Sequence, residues 1–386
     1  MQRRLALALA ACSALASAVV GGGGAAAADL DHLVFVPNKD SADVALIDTR
    51  TDEVVTKVAV GTTPHQVAVS KVLNLLVATN SGSDTISVVD LDRPGQATTI
   101  ALGHVPEHME LDPSGRLLAV ANIEAGSVSL VDLERRLETA RIEGFHAPHN
   151  LTFAANGKLL YVANLGADTV SVVDVATARI VNEIGLAEPR QVASTTADVD
   201  FQGVVNVTPT PDGRLGFAAY GSGDGLAVID LETQDVVKRL TLGSTPWRAY
   251  ATGDGRRMIV PNNGDATVSI VDTATLAEVA RVAGAAEMTG VNTGWFETTA
   301  FVLSRGERKA VILDLERNDR AGEIALPGTP ETGVTTPDGT KLYVALSDAD
   351  AVAVIDTRAR RLLKVIDGVG HGPWGAHMMG AANYCH

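Results

Sequence analysis

The chain alternates short apolar segments, rich in β-branched residues, with tight clusters of Gly, Asn and Asp. One full copy of the pattern reads APHNLTFA, NGK, LLYVANL, GAD, TVSVVDV and finally RIVNEIGL. Each apolar segment has the length and composition of a β-strand, and the Gly, Asn and Asp residues mark turns between strands. Helical periodicity is absent from these segments. The pattern therefore predicts an all-β protein made of four-stranded units.

The unit recurs at a fixed spacing. An apolar run ending in Asp occurs eight times, 42 residues apart except for one gap of 56, at Asp48, Asp90, Asp132, Asp174, Asp230, Asp272, Asp314 and Asp356. A four-stranded repeat of this length is typical of a β-propeller blade. We therefore predict one eight-bladed β-propeller domain over residues 29–386, with an insertion of about 14 residues within 190–208.

The two ends of the repeat array complement each other. The first unit begins at His32 and lacks an innermost strand, whereas a spare innermost strand, residues 373–379, follows the last unit. We expect this C-terminal strand to complete the N-terminal blade, because closing the ring removes two open sheet edges. For the insertion, either residues 189–194 or residues 203–213 could form the inner strand of the fifth blade.

Residues 159–164 (LLYVAN) and 168–174 (DTVSVVD) resemble the YVTN-type β-propeller repeat. The resemblance covers all eight units and implies a propeller fold. It implies less about function, because similar propellers occur in surface proteins and as metal or haem platforms in nitrous oxide reductase and the haem-containing nitrite reductases.

The first 28 residues have a basic tip, an apolar stretch and a run of small residues, which predicts a signal peptide cleaved near Ala28. We expect a periplasmic or secreted protein. Lipoprotein anchoring at Cys12 is the alternative. No other stretch reaches about 18 apolar residues, so no transmembrane anchor is predicted, and a closed ring favours a monomer.

The chain carries 46 acidic and 31 basic residues, a net charge of −15, which disfavours nucleic acid as a partner. It contains no Walker loop, dinucleotide fingerprint, GxSxG elbow or CxxCH motif, so neither a nucleotide cofactor nor covalent haem is predicted. The sequence leaves open whether the protein is an enzyme.

Histidines concentrate where the innermost strands begin. Seven of the nine lie there, on four units that become neighbours when the ring closes: His65, His104, His108, His146, His149, His371 and His377. Because imidazole is the commonest transition-metal ligand, we predict a metal site at one mouth of the channel, with Cys385 and His386 as further candidates. Soft sulfur in Met109, Met378, Met379 and Cys385 favours copper, and a haem would also suit a wide channel.

The opposite arc of the same mouth carries cationic and aromatic residues instead, namely Arg190, Trp247 and Arg248. These could hold an acidic substrate or the propionate of a cofactor. The same sequence is compatible with two functions that need no metal site. One is a metal-free interaction scaffold that presents a rim to a protein partner. The second is a small-molecule enzyme such as a lactonase.

Overall fold

The computed structural model describes residues 29–187, 203–294 and 296–379. Its strands form eight four-stranded antiparallel sheets, which are arranged as blades around a ring. The predicted all-β, eight-bladed propeller is therefore confirmed. Among the described residues the only helices are two short 3₁₀ turns, Leu30–His32 and Gly221–Gly223.

The innermost strands of the blades line the channel. They are β4 (Pro64–Ser70), β8 (Pro106–Leu111), β12 (Pro148–Phe153), β16 (Thr208–Pro209), β20 (Tyr250–Ala251), β24 (Met288–Gly294), β28 (Pro330–Thr335) and β32 (His377–Met378). The second strands are β1 (Leu33–Asn38), β5 (Leu75–Asn80), β9 (Leu117–Asn122), β13 (Leu159–Asn164), β17 (Leu215–Tyr220), β21 (Arg257–Asn262), β25 (Thr299–Ser304) and β29 (Lys341–Leu346).

The third strands end on the repeating Asp. They are β2 (Asp43–Asp48), β6 (Thr85–Asp90), β10 (Ser127–Asp132), β14 (Thr169–Asp174), β18 (Gly225–Asp230), β22 (Thr267–Asp272), β26 (Lys309–Asp314) and β30 (Ala351–Asp356). The outer strands are β3 (Glu53–Ala59), β7 (Ala97–Ala101), β11 (Leu137–Glu143), β15 (Arg179–Gly185), β19 (Asp235–Thr241), β23 (Ala277–Ala283), β27 (Asp319–Ala325) and β31 (Arg361–Asp367).

The C-terminal strand closes the ring as predicted. The first blade has the strand order β3-β2-β1-β32. Val34 pairs with Met378 and Phe35 with His377, and Met378 is buried in an apolar cluster shared with the last blade. The closing strand thus places His377 inside the channel.

The two repeating polar residues stabilise the blades. The carboxylate of each repeating Asp accepts backbone N–H groups of the turn that follows, as Asp174 does from Thr177 at 2.8 Å. In five units an Asn stands ten residues before the repeating Asp and is buried at the end of the second strand: Asn38, Asn80, Asn122, Asn164 and Asn262. Asn122 Nδ2, for example, donates to the hydroxyls of Ser127 and Ser129 at 3.1 and 2.9 Å. The Asp and Asn side chains thus supply hydrogen-bond partners to backbone N–H groups of the turns and to hydroxyl groups at the strand ends.

The inner strand of the fifth blade lies in residues 203–209. Val204 forms a bridge with Tyr220, which is the position at which Pro64 pairs with Asn80 in the second blade. Of the two possible inner strands, the fold thus uses the one that begins at residue 203. Residues 188–202, which contain Arg190, lie outside the described residues. Within the described part of the chain, no helix is both long and apolar enough to cross a membrane.

Candidate metal centre

Three neighbouring blades begin their innermost strands with the same local geometry. The residue before the first proline of the strand has a left-handed backbone, with φ of 51° at Thr63, 53° at Val105 and 47° at Ala147. A bulge follows directly after the proline, where the pairing register with the second strand shifts. Bulges re-aim the side chains beside them, and here they lie at the residues that form the mouth of the channel.

Three imidazoles meet at this mouth. The ring centroids of His65 and His108 are 5.0 Å apart at 85°, and those of His108 and His149 are 3.8 Å apart at 40°. The exposed fractions of His65, His108 and His149 are only 5%, 1% and 6%. The sequence therefore brings three histidines from three blades into one buried cluster.

The carboxylate of Glu107 lies close to two of these rings. One ligand atom each from His65, Glu107 and His108 lies within 4.8 Å of the others. Ligands of one tetrahedral ion lie about 3.5 Å apart, so small side-chain rotations would bring all three onto a metal. Burial raises the pKa of the half-buried Glu107, and the nearby Lys39 opposes that rise.

His149 is oriented by a backbone carbonyl. Its Nδ1 lies 3.1 Å from the oxygen of Val205. Nδ1 donates to this carbonyl in the tautomer that leaves the lone pair on Nε2. In the other tautomer Nδ1 accepts from Asn150 Nδ2, which also lies 3.1 Å away. Burial first, and then the charge of Arg248, lower the pKa of His149 to about 3. A neutral imidazole fixed through its second nitrogen is the usual state of a metal ligand.

The same mouth also carries cationic and aromatic side chains, which begin beside His65. Lys39 Nζ lies 3.1 Å from the centroid of the Trp374 ring, and the Arg305 guanidinium carbon lies 5.6 Å from it. Arg305 Nε is 3.4 Å from a carboxylate oxygen of Glu331, whose side chain is fully buried. The Trp374 ring also contacts His65, at 5.9 Å between centroids.

A cavity of about 620 Å³ extends across the mouth. Its wall includes Lys39, His65, Glu107, His149, Trp247 and Arg305. Cavities of this size commonly bind small molecules or cofactors. The mouth therefore offers more space than a single ion fills.

Of the residues predicted for cofactor binding, Trp247 lines this cavity. Arg248 is 5% exposed and lies 5.4 Å from the centroid of the Tyr250 ring. Its charge contributes to lowering the pKa of His149 and opposes the rise that burial causes in the pKa of Glu110. Arg248 is therefore a buried cation in the channel wall and not a solvated residue of the rim.

Three of the predicted histidines lie on the exposed rim instead. His104 contacts Asp84 at 2.9 Å and Glu124 at 3.2 Å, and Asp84 raises the pKa of His104. His371 contacts Asp350 at 2.7 Å, and His146 is exposed. The structure does not bring these side chains to the buried cluster.

The remaining candidates are separated from the cluster or lie outside the described residues. His377 is buried, but it follows Pro373 by four residues, whereas His65 and His149 directly follow the corresponding prolines. At about 3.3 Å per residue its Cα lies about 10 Å deeper in the channel. Cys385 and His386 are outside the described residues. Met109 and Met378 pack in apolar clusters, so their position gives no support to copper.

Four residues of the mouth were not predicted from the sequence, namely Lys39, Glu107, Arg305 and Trp374. For two of them a signal was present: Glu107 and Trp374 directly follow the first proline of their strands, the position held by His65 and His149. Side chains directly after these prolines therefore line the mouth.

Fold and site together define an eight-bladed propeller with a His and Glu cluster at one mouth. A family model described as choice-of-anchor I domain matches residues 149–383, more than half of the chain, so the chain belongs to this family. A second model, described as lactonase, 7-bladed beta-propeller, matches residues 98–199. These matches agree with the propeller-repeat resemblance found in the sequence. No match was found among curated proteins.

Several solved structures share the fold. Dihydro-heme d1 dehydrogenase NirN in complex with DHE aligns with a TM-score of 0.75 and 16% identity over 94% of this chain and 78% of that chain. Apo AztD from Citrobacter koseri aligns with a TM-score of 0.65 and 13% identity, over 91% and 98% of the two chains. Kuenenia stuttgartiensis hydrazine synthase aligns with a TM-score of 0.56 and 19% identity, over 87% and 98%. At these identities the likeness shows the fold.

Proposed function

We propose that this protein is an exported propeller that binds a divalent transition-metal ion at one mouth of its channel. The observation that carries the proposal is the group of ligand atoms from His65, Glu107 and His108, which lie within 4.8 Å of one another. His149 adds a third buried imidazole beside His108. Three nitrogens and one carboxylate form a donor set that suits zinc or copper.

Copper is the ion that we expect to bind most tightly. Its divalent form stands at the top of the affinity order for sites of nitrogen and oxygen ligands. Zinc is expected to bind next most tightly and has no geometric preference that this site would oppose. The proposal does not depend on sulfur ligands.

Isothermal titration of metal-free protein with Zn²⁺ and Cu²⁺ tests the proposal. We expect one ion to bind at the mouth, and we expect His65→Ala and His108→Ala each to weaken that binding by more than about 100-fold, because each removes one metal ligand. His146→Ala is the matched control, since it removes an exposed imidazole outside the cluster. Unchanged metal binding in His108→Ala would contradict the proposal.

A metal-containing cofactor larger than an ion is the second candidate, and the cavity of about 620 Å³ beside His65 and His149 supports it. In this case an imidazole would hold the metal, and Lys39 and Arg305 would pair with acidic groups of the cofactor. An absorption spectrum of the protein isolated from its producing cells distinguishes the two candidates, because a tetrapyrrole absorbs strongly in the visible range. Metal-free, colourless protein would instead support a lactonase-like enzyme if it hydrolyses a lactone, or an interaction scaffold if it captures a protein partner.

Export is part of the proposal. It rests on the leader-like sequence of residues 1–28. The mass of the mature protein tests it: we expect cleavage near Ala28, and an intact N-terminus on protein recovered from the cytoplasm would contradict export.

A further inference from the structure

A second cavity lies deeper in the channel. It has a volume of about 190 Å³, and its wall includes Gln66, Glu110, His377 and Met379. At about 30 Å³ per water this volume holds about six waters. It is formed by three adjacent inner strands, β32, β4 and β8.

His377 is a buried polar side chain in the wall of this cavity. Its exposed fraction is 3%, and neither ring nitrogen has a hydrogen-bond partner among the described residues. Thr332 Oγ1 is buried without a described partner as well. Because buried polar side chains almost always have a partner in native proteins, this imidazole points to a ligand.

The register of the strands places a carboxylate at the same depth. His377 pairs with Phe35, and Glu110 pairs with Ala119. Phe35 and Ala119 hold the same position in their second strands, thirteen residues before the repeating Asp. Between these two strands lies β4, whose residue at this depth is Ala68, because Ala68 pairs with Val77. Ala68 also lines the cavity.

A glycine leaves the space in which the imidazole lies. A Cβ added at Gly375 would lie 3.0 Å from His377 Nε2 and 2.7 Å from Thr332 Oγ1. A larger residue at this position would therefore require the Thr332 and His377 side chains to move, so Gly375 leaves the ring its present place.

We propose that His377 and Glu110 bind a second transition-metal ion in this deeper cavity, with water completing its coordination. A neutral imidazole supplies one lone pair and a carboxylate supplies the anionic ligand, a combination typical of Zn²⁺, Co²⁺ and Cu²⁺ sites. Burial raises the pKa of Glu110 to about 7 and the charge of Arg248 opposes that rise, so Glu110 is mainly a carboxylate above neutral pH. This site shares no ligand with the cluster at the mouth, so it can be tested separately from the proposed function.

Titration of metal-free protein with Co²⁺, followed by calorimetry and by visible absorption, tests the proposal. We expect two equivalents to bind to the wild type and one to His377→Ala and to Glu110→Gln, whose side chain has the same shape as Glu. The equivalent retained at the mouth shows that each variant is folded. His371→Ala is the matched control on the same closing segment, and it should bind two.

His65→Ala separates this site from the mouth, because the variant should keep the deeper equivalent. If the wild type binds a single ion that is lost in His65→Ala and retained in His377→Ala, the deeper site is refuted and the proposed function stands. If the single ion is lost in His377→Ala and retained in His65→Ala, the proposed function is refuted and the deeper site stands. A wild type that binds no ion refutes both.

Discussion

His149 makes the stability of the fold depend on pH. Burial and Arg248 lower its pKa to about 3 from the usual 6.5. The unfolded chain therefore binds more protons than the folded chain between these two values, so this part of the stability is complete above about pH 6.5 and is lost as the pH falls toward 3. At pH 4.5, two units below the unfolded value, the loss is about 3 kcal/mol, at about 1.4 kcal/mol per unit.

Urea denaturation at pH 7.5 and pH 4.5 measures this loss. The His149→Gln variant cannot take up the proton, so between the two pH values its free energy of unfolding should fall by about 3 kcal/mol less than that of the wild type. Any constant effect of the substitution cancels in this difference. His146→Ala, which removes an exposed imidazole, should behave like the wild type. An equal fall in all three proteins would refute the assignment of His149 as a buried neutral imidazole.

Further predictions concern ring closure, the strand ends and the mouth. Met378→Ala should lower the free energy of unfolding by about 2–5 kcal/mol in urea denaturation, because Met378 is 2% exposed in the closing strand, and Met379→Ala, at a half-buried site, should cost less. Asn122→Ala should cost about 1–3 kcal/mol in the same assay, because it leaves buried hydroxyls without their donor. Bound Cu²⁺ should quench tryptophan fluorescence, and Trp374→Phe should reduce this quenching, because Trp374 contacts His65 whereas Trp247, also at the mouth, remains. A Met378→Ala variant as stable as wild type, or quenching unaffected by Trp374→Phe, would contradict these expectations.

The repeat spacing was sufficient to predict the blades, their number and the closing strand. A 42-residue period fixes which residues share a strand, and the missing inner strand of the first unit identifies its partner at the C-terminal end. The same spacing places His65, His108 and His149 at one mouth. It could not predict their contacts, because these depend on the bulges after the prolines.

The rim histidines are held by ion-pair partners that the 42-residue spacing alone does not predict. His104 and His371 pair with Asp84 and Asp350, and each of these carboxylates stands six residues before a repeating Asp. A comparison of corresponding turns could have found both pairs. The depth of His377 could also be predicted, from its distance to Pro373, but its lack of a described hydrogen-bond partner is a property of packing in three dimensions.

Anomalous diffraction from crystals of the metal-loaded protein, recorded at the absorption edge of the metal, tests the central claim most directly. We expect a peak at the mouth, about 2.0–2.2 Å from ligand atoms of His65, Glu107 and His108. A peak only at the rim, on His104 or His371, or no peak in protein that has been soaked in the metal, would contradict the assignment of the mouth as a metal centre.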